Sequence, residues 1–287
     1  METKRIAMKP LRILPKDQAI ECAIKPTLSP FTFSQPNKGV FFTESGKSAI
    51  REIAEFHGLS RDDEACIVTT SDSPFVSSCV TSTLFNFCKV SRVLTDKTRL
   101  LFVIHEFGFP CERIDVLSEM ARNLGIPLVE DIAHSLTSSF KGRALGAYGD
   151  YAVYSLPKSL PLDTGGILLA STKYIGAIQV ECDLVANDFT RQSEILHWVH
   201  NRRRLLFEIL SAEVSRPLIY RLTEGCNPFC FAYRDEPSKV VRLNQSAKRG
   251  KVELLRTHNP DWVTIPLNPW YTEADIERLI ELVKGDK

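Results

Sequence analysis

The sequence predicts an α/β protein built on a mixed, mostly parallel sheet, and three observations carry that reading. Short apolar runs alternate with amphipathic helical stretches, the order that feeds parallel strands. One such unit is complete. Leu100 to Ile104 is a buried strand; Ile114, Leu117, Ala121 and Leu124 recur at helical spacing with Gly125 as the stop; Ile126-Pro127-Leu128-Val129 is the next strand, closed by Glu130 and Asp131. Strand, helix and strand in that order form a βαβ crossover, which fixes a parallel sheet. The chain is also long enough: 287 residues with 44% hydrophobic content supply a core for one large α/β domain and a smaller one.

Taken in order, residues 1–40 are rich in Pro and Lys without a periodic apolar face, and are expected to form an N-terminal arm. A large domain is expected over 41–190, and a linking helix with a small C-terminal domain over 191–287. Phe41-Phe42-Thr43 leads into Glu44-Ser45-Gly46-Lys47-Ser48 and a helix carrying Ala49, Ile50, Ile53 and Ala54 on one face. Ala65 to Thr70 is a short strand. Tyr151 to Tyr154 and Ile167 to Ala170 are two more, joined by a loop that Gly165-Gly166 turns back. Beyond Tyr174 the pattern weakens, with helix over most of 193–222 (Ile195, Leu196, Val199, Leu206, Ile209, Leu210, Val214). Val263 to Leu267 is a final strand, and Thr272-Glu273-Ala274-Asp275 a capped helix start with Ile276, Leu279, Ile280 and Val283 on one face.

Charge and cysteine usage exclude several function classes. With 36 basic and 35 acidic residues the net charge is +1, so no global field recruits nucleic acid or an anionic membrane. The run Arg202-Arg203-Arg204 reads as a solvated helix face. The start has positive charge but no continuous apolar segment, and no run is long enough to span a bilayer, so a cytoplasmic protein is expected. Eight cysteines without a CxxC pair read as reduced core residues. Cys226-Asn-Pro-Phe-Cys230 reads as a loop with two buried thiols rather than a metal site.

The chemistry concentrates between Pro127 and Ala170. Asp131 falls at the C-terminal edge of a parallel strand, where α/β folds bind ligands. Lys158 follows in a loop between Pro157 and Pro161. A strand-end acid and a loop lysine backed by a glycine turn are what pyridoxal 5'-phosphate (PLP) chemistry requires: the amine tethers the cofactor, and the carboxylate keeps its ring nitrogen protonated. Taken singly, a strand-end Asp more often caps a helix and a lysine is more often solvated. Similarly, the helix start at Gly46, Lys47 and Ser48 presents unpaired N–H groups suited to a phosphate, though alone it reads as an ordinary serine-capped helix.

Several spaced elements together resemble the DegT/DnrJ/EryC1/StrS sugar aminotransferase family. Glu130-Asp131-Ile132-Ala133-His134 is similar to its E-D-x-A-H/Q element, Lys141-Gly142-Arg143 through Gly149-Asp150 to its K-G-x-x-x-G-x-x-G-D segment, and Ser155-Leu156-Pro157-Lys158, running to Gly165-Gly166, to its lysine loop. The resemblance, extending with gaps from about Phe41 to the C-terminus, implies a fold-type-I PLP-dependent transferase: a three-layer sandwich with a small C-terminal α+β domain. It implies Lys158 and Asp131 as catalytic, with Gly46, Lys47, Ser48 and Ser155 at the phosphate and Phe75 and His134 against the ring. It also implies a homodimer, an amino-acid donor such as glutamate, and a keto-sugar acceptor, nucleotide-linked, from polysaccharide or secondary-metabolite sugar biosynthesis. Three departures stand out. Lys47 replaces a threonine hydroxyl. The connection between Phe87 and Leu94, where full-length relatives have another strand and an acidic loop, is missing or abbreviated. The G-x-N-x-R segment that crosses the dimer has no match. These departures leave room for a retired binding or scaffold paralogue. A PLP-dependent sugar dehydratase is the other alternative, although such relatives carry histidine where Lys158 stands.

Overall fold

The computed structural model describes residues 27–74, 78–134, 136–177, 182–249, 254–255 and 257–284. In chain order these form β1 (Lys38–Thr43), α1 (Gly46–Phe56), β2 (Glu64–Thr69), α2 (Ser78–Leu84), β3 (Lys89–Ser91), β4 (Thr98–Ile104), α3 (Ile114–Leu124), β5 (Leu128–Asp131), β6 (Ser139–Phe140), β7 (Arg143–Ala144), β8 (Tyr151–Ser155) and β9 (Gly166–Ser171). There follow α4 (Asp183–Gln192), α5 (Leu196–Glu213), β10 (Cys230–Arg234), α6 (Pro237–Arg249), β11 (Trp262–Pro266) and α7 (Glu273–Lys284).

Seven strands make the main sheet in the order β1-β9-β8-β5-β4-β2-β3. β8, β5, β4, β2 and β3 run parallel, and β9 is antiparallel to both of its neighbours. The loop explains the exception: a parallel return needs a crossover of a dozen or more residues, and the chain between β8 and β9 is shorter. The expected crossover is present, with β4 paired to β5 from Leu101↔Leu128 to Ile104↔Asp131. α3 ends as its sequence predicts, Gly125 taking φ +67° and returning its N–H to Ala121 and Arg122 carbonyls.

Alternation along the strands sends side chains into two cores, one on each face. Leu101 and Val103 meet α3 and α4 through Ile114, Leu117 and Phe189, whereas Leu100, Phe102 and Ile104 meet α1 and α2 through Ile50, Ile53, Val80 and Leu84. The result is helix, sheet, helix: the three-layer sandwich. A third core gathers α5, β10, β11, α6 and α7 around Phe207, Phe231, Leu243, Ile265 and Leu279.

One expectation is sharpened and another corrected. The connection after Phe87 is abbreviated rather than missing: it keeps a strand, β3, reduced to three residues and paired to β2 at the sheet edge. And Arg202-Arg203-Arg204 is not a solvated face: Arg203 is buried and Arg202 and Arg204 are half-buried, each guanidinium capping loop carbonyls. The charge run is spent on tying α5 to its surroundings. Within the expected arm, residues 27–37 are irregular but docked, Phe31 and Phe33 packing on Phe189 and Gln35 donating to the Leu145 carbonyl at 2.9 Å.

Candidate active site

The end of β5 presents two adjacent carboxylates to opposite faces of the sheet. Glu130, wholly buried, accepts from the backbone N–H groups of Gly146 (2.8 Å), Tyr148 (2.7 Å) and Gly149 (2.7 Å) and from His105 Nε2 (3.2 Å). His105 Nδ1 accepts the Cys111 N–H at 3.0 Å, which places the ring proton on Nε2, toward the glutamate. Burial alone would raise the Glu130 pKa, but the His105 and backbone donors win and hold it below the usual carboxylate range. Glu130 is therefore an anchor for the loop ahead of β8.

Asp131 points the other way, into a cleft of about 590 Å³ at the C-terminal edge of the sheet. Among the described residues it accepts the Ala133 N–H at 2.9 Å. Burial raises its pKa, opposed by the charge of Lys158 and by that one hydrogen bond. A carboxylate facing a cleft beside a lysine is placed to serve a ligand.

Lys158 reaches the same cleft from the turn after β8. Its Nζ meets His134 Nε2 at 3.1 Å. Burial lowers the lysine pKa, Asp131 being the chief opposing charge. The His134 pKa falls well below its ordinary value through burial, then Lys158, then Arg203. A lysine pushed toward its neutral amine beside an uncharged imidazole is a competent nucleophile and proton carrier.

Two glycines weld the lysine loop to the start of α1. A Cβ on Gly166 would lie 2.4 Å from the Ser45 carbonyl carbon and 2.5 Å from Gly46 N, so only glycine permits this approach. Gly165 holds φ +117°, donates to the Glu44 carbonyl at 2.8 Å and accepts from Leu156 N–H at 3.1 Å. Lysine turn and helix start are thereby one rigid edge of the cleft.

At that edge Gly46 and exposed Lys47 line the cleft with Glu44, Ser45, Ser155, Asp163 and Thr164. Ser45 caps α1, its Oγ accepting the Ser48 N–H at 3.1 Å and pairing with the Ser48 hydroxyl at 2.9 Å. Ser48 is thus engaged in the cap rather than lining the cleft.

Of the residues expected from sequence, Gly46, Lys47, Asp131, His134, Ser155 and Lys158 all line one cleft. Phe75 lies outside the described residues. Sequence reasoning missed Cys79, an exposed thiol of α2 on the cleft wall. It also missed the wall behind His134, made by Phe107, Phe229 and Arg203, whose rings and guanidinium come from three distant segments. Cys226 and Cys230 are both buried free thiols, as expected for that loop, Cys226 pushed up to about 12 by burial.

A seven-stranded mixed sheet between helical layers, with an acid and a lysine converging at its C-terminal edge, defines a fold-type-I, PLP-dependent-transferase-like protein. Residues 64–172, the segment carrying β2 to β9, match the model of the DegT/DnrJ/EryC1/StrS aminotransferase family. Spr1654 from Streptococcus pneumoniae in its PLP form superimposes with a TM-score of 0.74 over 92% of this chain and 93% of that one, at 14% identity, a likeness of fold. L-glutamine:scyllo-inosose aminotransferase of Streptomyces griseus is 37% identical over 78 residues, 26% of this chain. GDP-perosamine synthase of Escherichia coli O157:H7 is 25% identical over 131 residues, 40% of this chain. These matches span 18% and 36% of the relatives' own length.

Proposed function

We propose that this chain is a PLP-dependent aminotransferase, moving an amino group from an amino acid such as glutamate to a keto sugar carried on a nucleotide. The observation that supports this most directly is that Lys158 and Asp131 line one cleft. The cleft fits the cofactor in three respects. Its volume suits a small ligand. The positive end of α1, with the Lys47 cation beside it, suits a phosphate. A carboxylate and an amine face the interior between them.

When bound, PLP supplies an electron sink for the carbanion at the amino-bearing carbon. The chain's own groups do the rest. Lys158 Nζ is the tether and, once released, the base and acid that carries the proton. Its lowered pKa keeps the amine neutral for part of the cycle. His134 Nε2 holds that amine in place. Asp131 is the counter-ion for a protonated ring nitrogen. Gly46, Lys47, Ser48 and Ser155 are assigned to the phosphate side, Ser48 through its hold on Ser45, and Phe75 to the ring face. The dehydratase alternative is disfavoured because the tethering lysine is present.

A division into arm 1–40, large domain 41–190 and small domain 191–287, a homodimer, and a cytoplasmic setting belong to the same proposal. Among the described residues no helix is long and apolar enough to cross a membrane.

The test is to add PLP to the purified protein and follow its visible absorbance. A band that is lost in Lys158→Ala and bleached by glutamate, with 2-oxoglutarate appearing, supports amino transfer. A band that glutamate leaves untouched across a panel of amino acids counts against transfer, and no band at all indicates a binding or scaffold protein.

A further inference from the structure

Behind the cleft stands a guanidinium with no carboxylate to answer it. Arg203 of α5 is 1% exposed. Among the described residues no acid lies within ion-pair distance of it and its Nε makes no hydrogen bond. Burying a cation without a counter-charge is costly, so its retention calls for a physical reason.

The contacts around Arg203 supply one. Its Nη2 donates to the Lys158 carbonyl at 2.6 Å and its Nη1 to Ser159 Oγ at 3.4 Å. Its guanidinium lies 4.9 Å from the centre of the Phe229 ring. Phe229 meets the His134 ring at 4.7 Å, and His134 Nε2 meets Lys158 Nζ at 3.1 Å. These contacts close a ring that begins and ends on one residue. Lys158 is gripped at its carbonyl by Arg203, and at its amine by the imidazole that Arg203 backs across one aromatic ring.

We propose that Arg203 is a positioning residue for Lys158: its planar fork fixes the lysine's backbone, and its charge, set behind the Phe229 ring, acts on the imidazole whose Nε2 meets the lysine amine. The charged and titratable groups facing this assembly are few. Lys158 of the lysine turn and Arg203 of α5 act on His134, Asp131 of β5 and Cys79 of α2 line the cleft on the Lys158 side, and Phe107 and Phe229 pack on the imidazole. Arg203 itself faces Tyr154 of β8 and Cys230 of β10, with His200 one turn earlier on its own helix. Asp131 acts on Lys158, and the charges acting on His134 are those of Lys158 and Arg203. Removing the Arg203 charge lifts one of the three causes that depress the His134 pKa, burial and Lys158 remaining.

Two substitutions separate the fork from the charge. Arg203→Lys keeps a cation but loses the planar pair of donors, and Arg203→Met loses both while keeping apolar bulk. The role of the charge is read in cofactor-free protein by a histidine NMR pH titration, with His134→Gln assigning the signal. Wild type and Arg203→Lys are expected to show no His134 titration between about pH 6 and 8, and Arg203→Met a midpoint shifted upward toward the ordinary histidine value. Identical His134 curves in wild type and Arg203→Met overturn the electrostatic role.

The role of the fork, which rests on the proposed lysine chemistry, is read from the rate at which Lys158 captures added PLP, amine nitrogen replacing aldehyde oxygen as water leaves. Arg203→Lys is expected to slow capture about tenfold at every pH, because the amine is no longer held in place. An unchanged rate in Arg203→Lys overturns the positioning role, and does so even if Arg203→Met fails to fold. Absence of capture by wild type defeats the lysine reading instead, and leaves the NMR titration to judge Arg203.

Discussion

The front and the back of the cleft are built by different parts of the chain and by different chemistry. The front is polar and local: the start of α1, the tip of β5 and the turn after β8 present Gly46, Lys47, Asp131, Ser155 and Lys158 at the sheet edge. The back is aromatic and assembled from afar. Phe107 comes from the turn after β4, Phe229 from the approach to β10 and Arg203 from α5, and they meet only behind His134. The front offers groups that a ligand can touch, whereas the back fixes which way those groups point and what charge they carry. Chemistry at such a site needs both, because a nucleophile held loosely loses most of its advantage.

Substitutions at the front test the first half of this division, and the largest effect is expected at Lys158. Lys158→Ala abolishes covalent capture of PLP and lowers amino transfer by more than about a thousandfold, measured by glutamate consumption. In wild type, capture is expected to rise with pH to a plateau whose midpoint lies below the ordinary lysine value, since burial favours the neutral amine.

Asp131→Asn comes next, slowing transfer by roughly a hundredfold to a thousandfold while leaving a tethered cofactor, read from visible absorbance. Its stability effect should run opposite to its activity effect. A carboxyl whose folded pKa lies above its unfolded value costs stability at pH above that value, a cost relieved as pH falls; the cofactor-free Asp131→Asn protein is therefore expected to melt no lower than wild type at neutral pH.

Glu130→Gln sharpens the contrast from the neighbouring residue. Here the folded pKa is below the unfolded one, so the carboxylate stabilises the protein above the unfolded glutamate pKa, and the stabilisation is lost as pH falls through the folded value. Replacing it leaves three backbone donors and His105 with a poorer acceptor. The cost is roughly 3 kcal/mol in denaturant titrations at neutral pH, shrinking in acid. Equal melting of the two variants would remove the distinction between anchor and working acid. The smallest effect belongs to Lys47→Thr, which restores the hydroxyl found in the family. Because Lys47 is an exposed, flexible cation, its replacement changes PLP affinity by only about two- to fivefold, with a weaker dependence on salt.

The same division explains what the sequence disclosed. The crossover ending at Asp131, the αL stop at Gly125 and the strands around Lys158 were legible because each depends on periodicity or turn chemistry within a dozen residues. Asp131, Ser155 and Lys158 were legible because they fall in order along one continuous stretch. Strand β3 escaped notice because three residues carry no period. Arg203 was misread because a run of three arginines carries no mark of which one turns inward; only the packing of α5 against Phe229 and the Lys158 carbonyl decides that. One faint signal was available, since Leu196, Val199, Arg203, Leu206 and Leu210 share one helical face and all are buried.

The tether itself admits the most direct measurement: mixing the protein with PLP, reducing with borohydride, and locating the added pyridoxyl mass by peptide mass spectrometry. The account predicts one modified residue, Lys158, with loss of the label in Lys158→Ala. A label at another lysine such as Lys47, or no stable label at all, would contradict it.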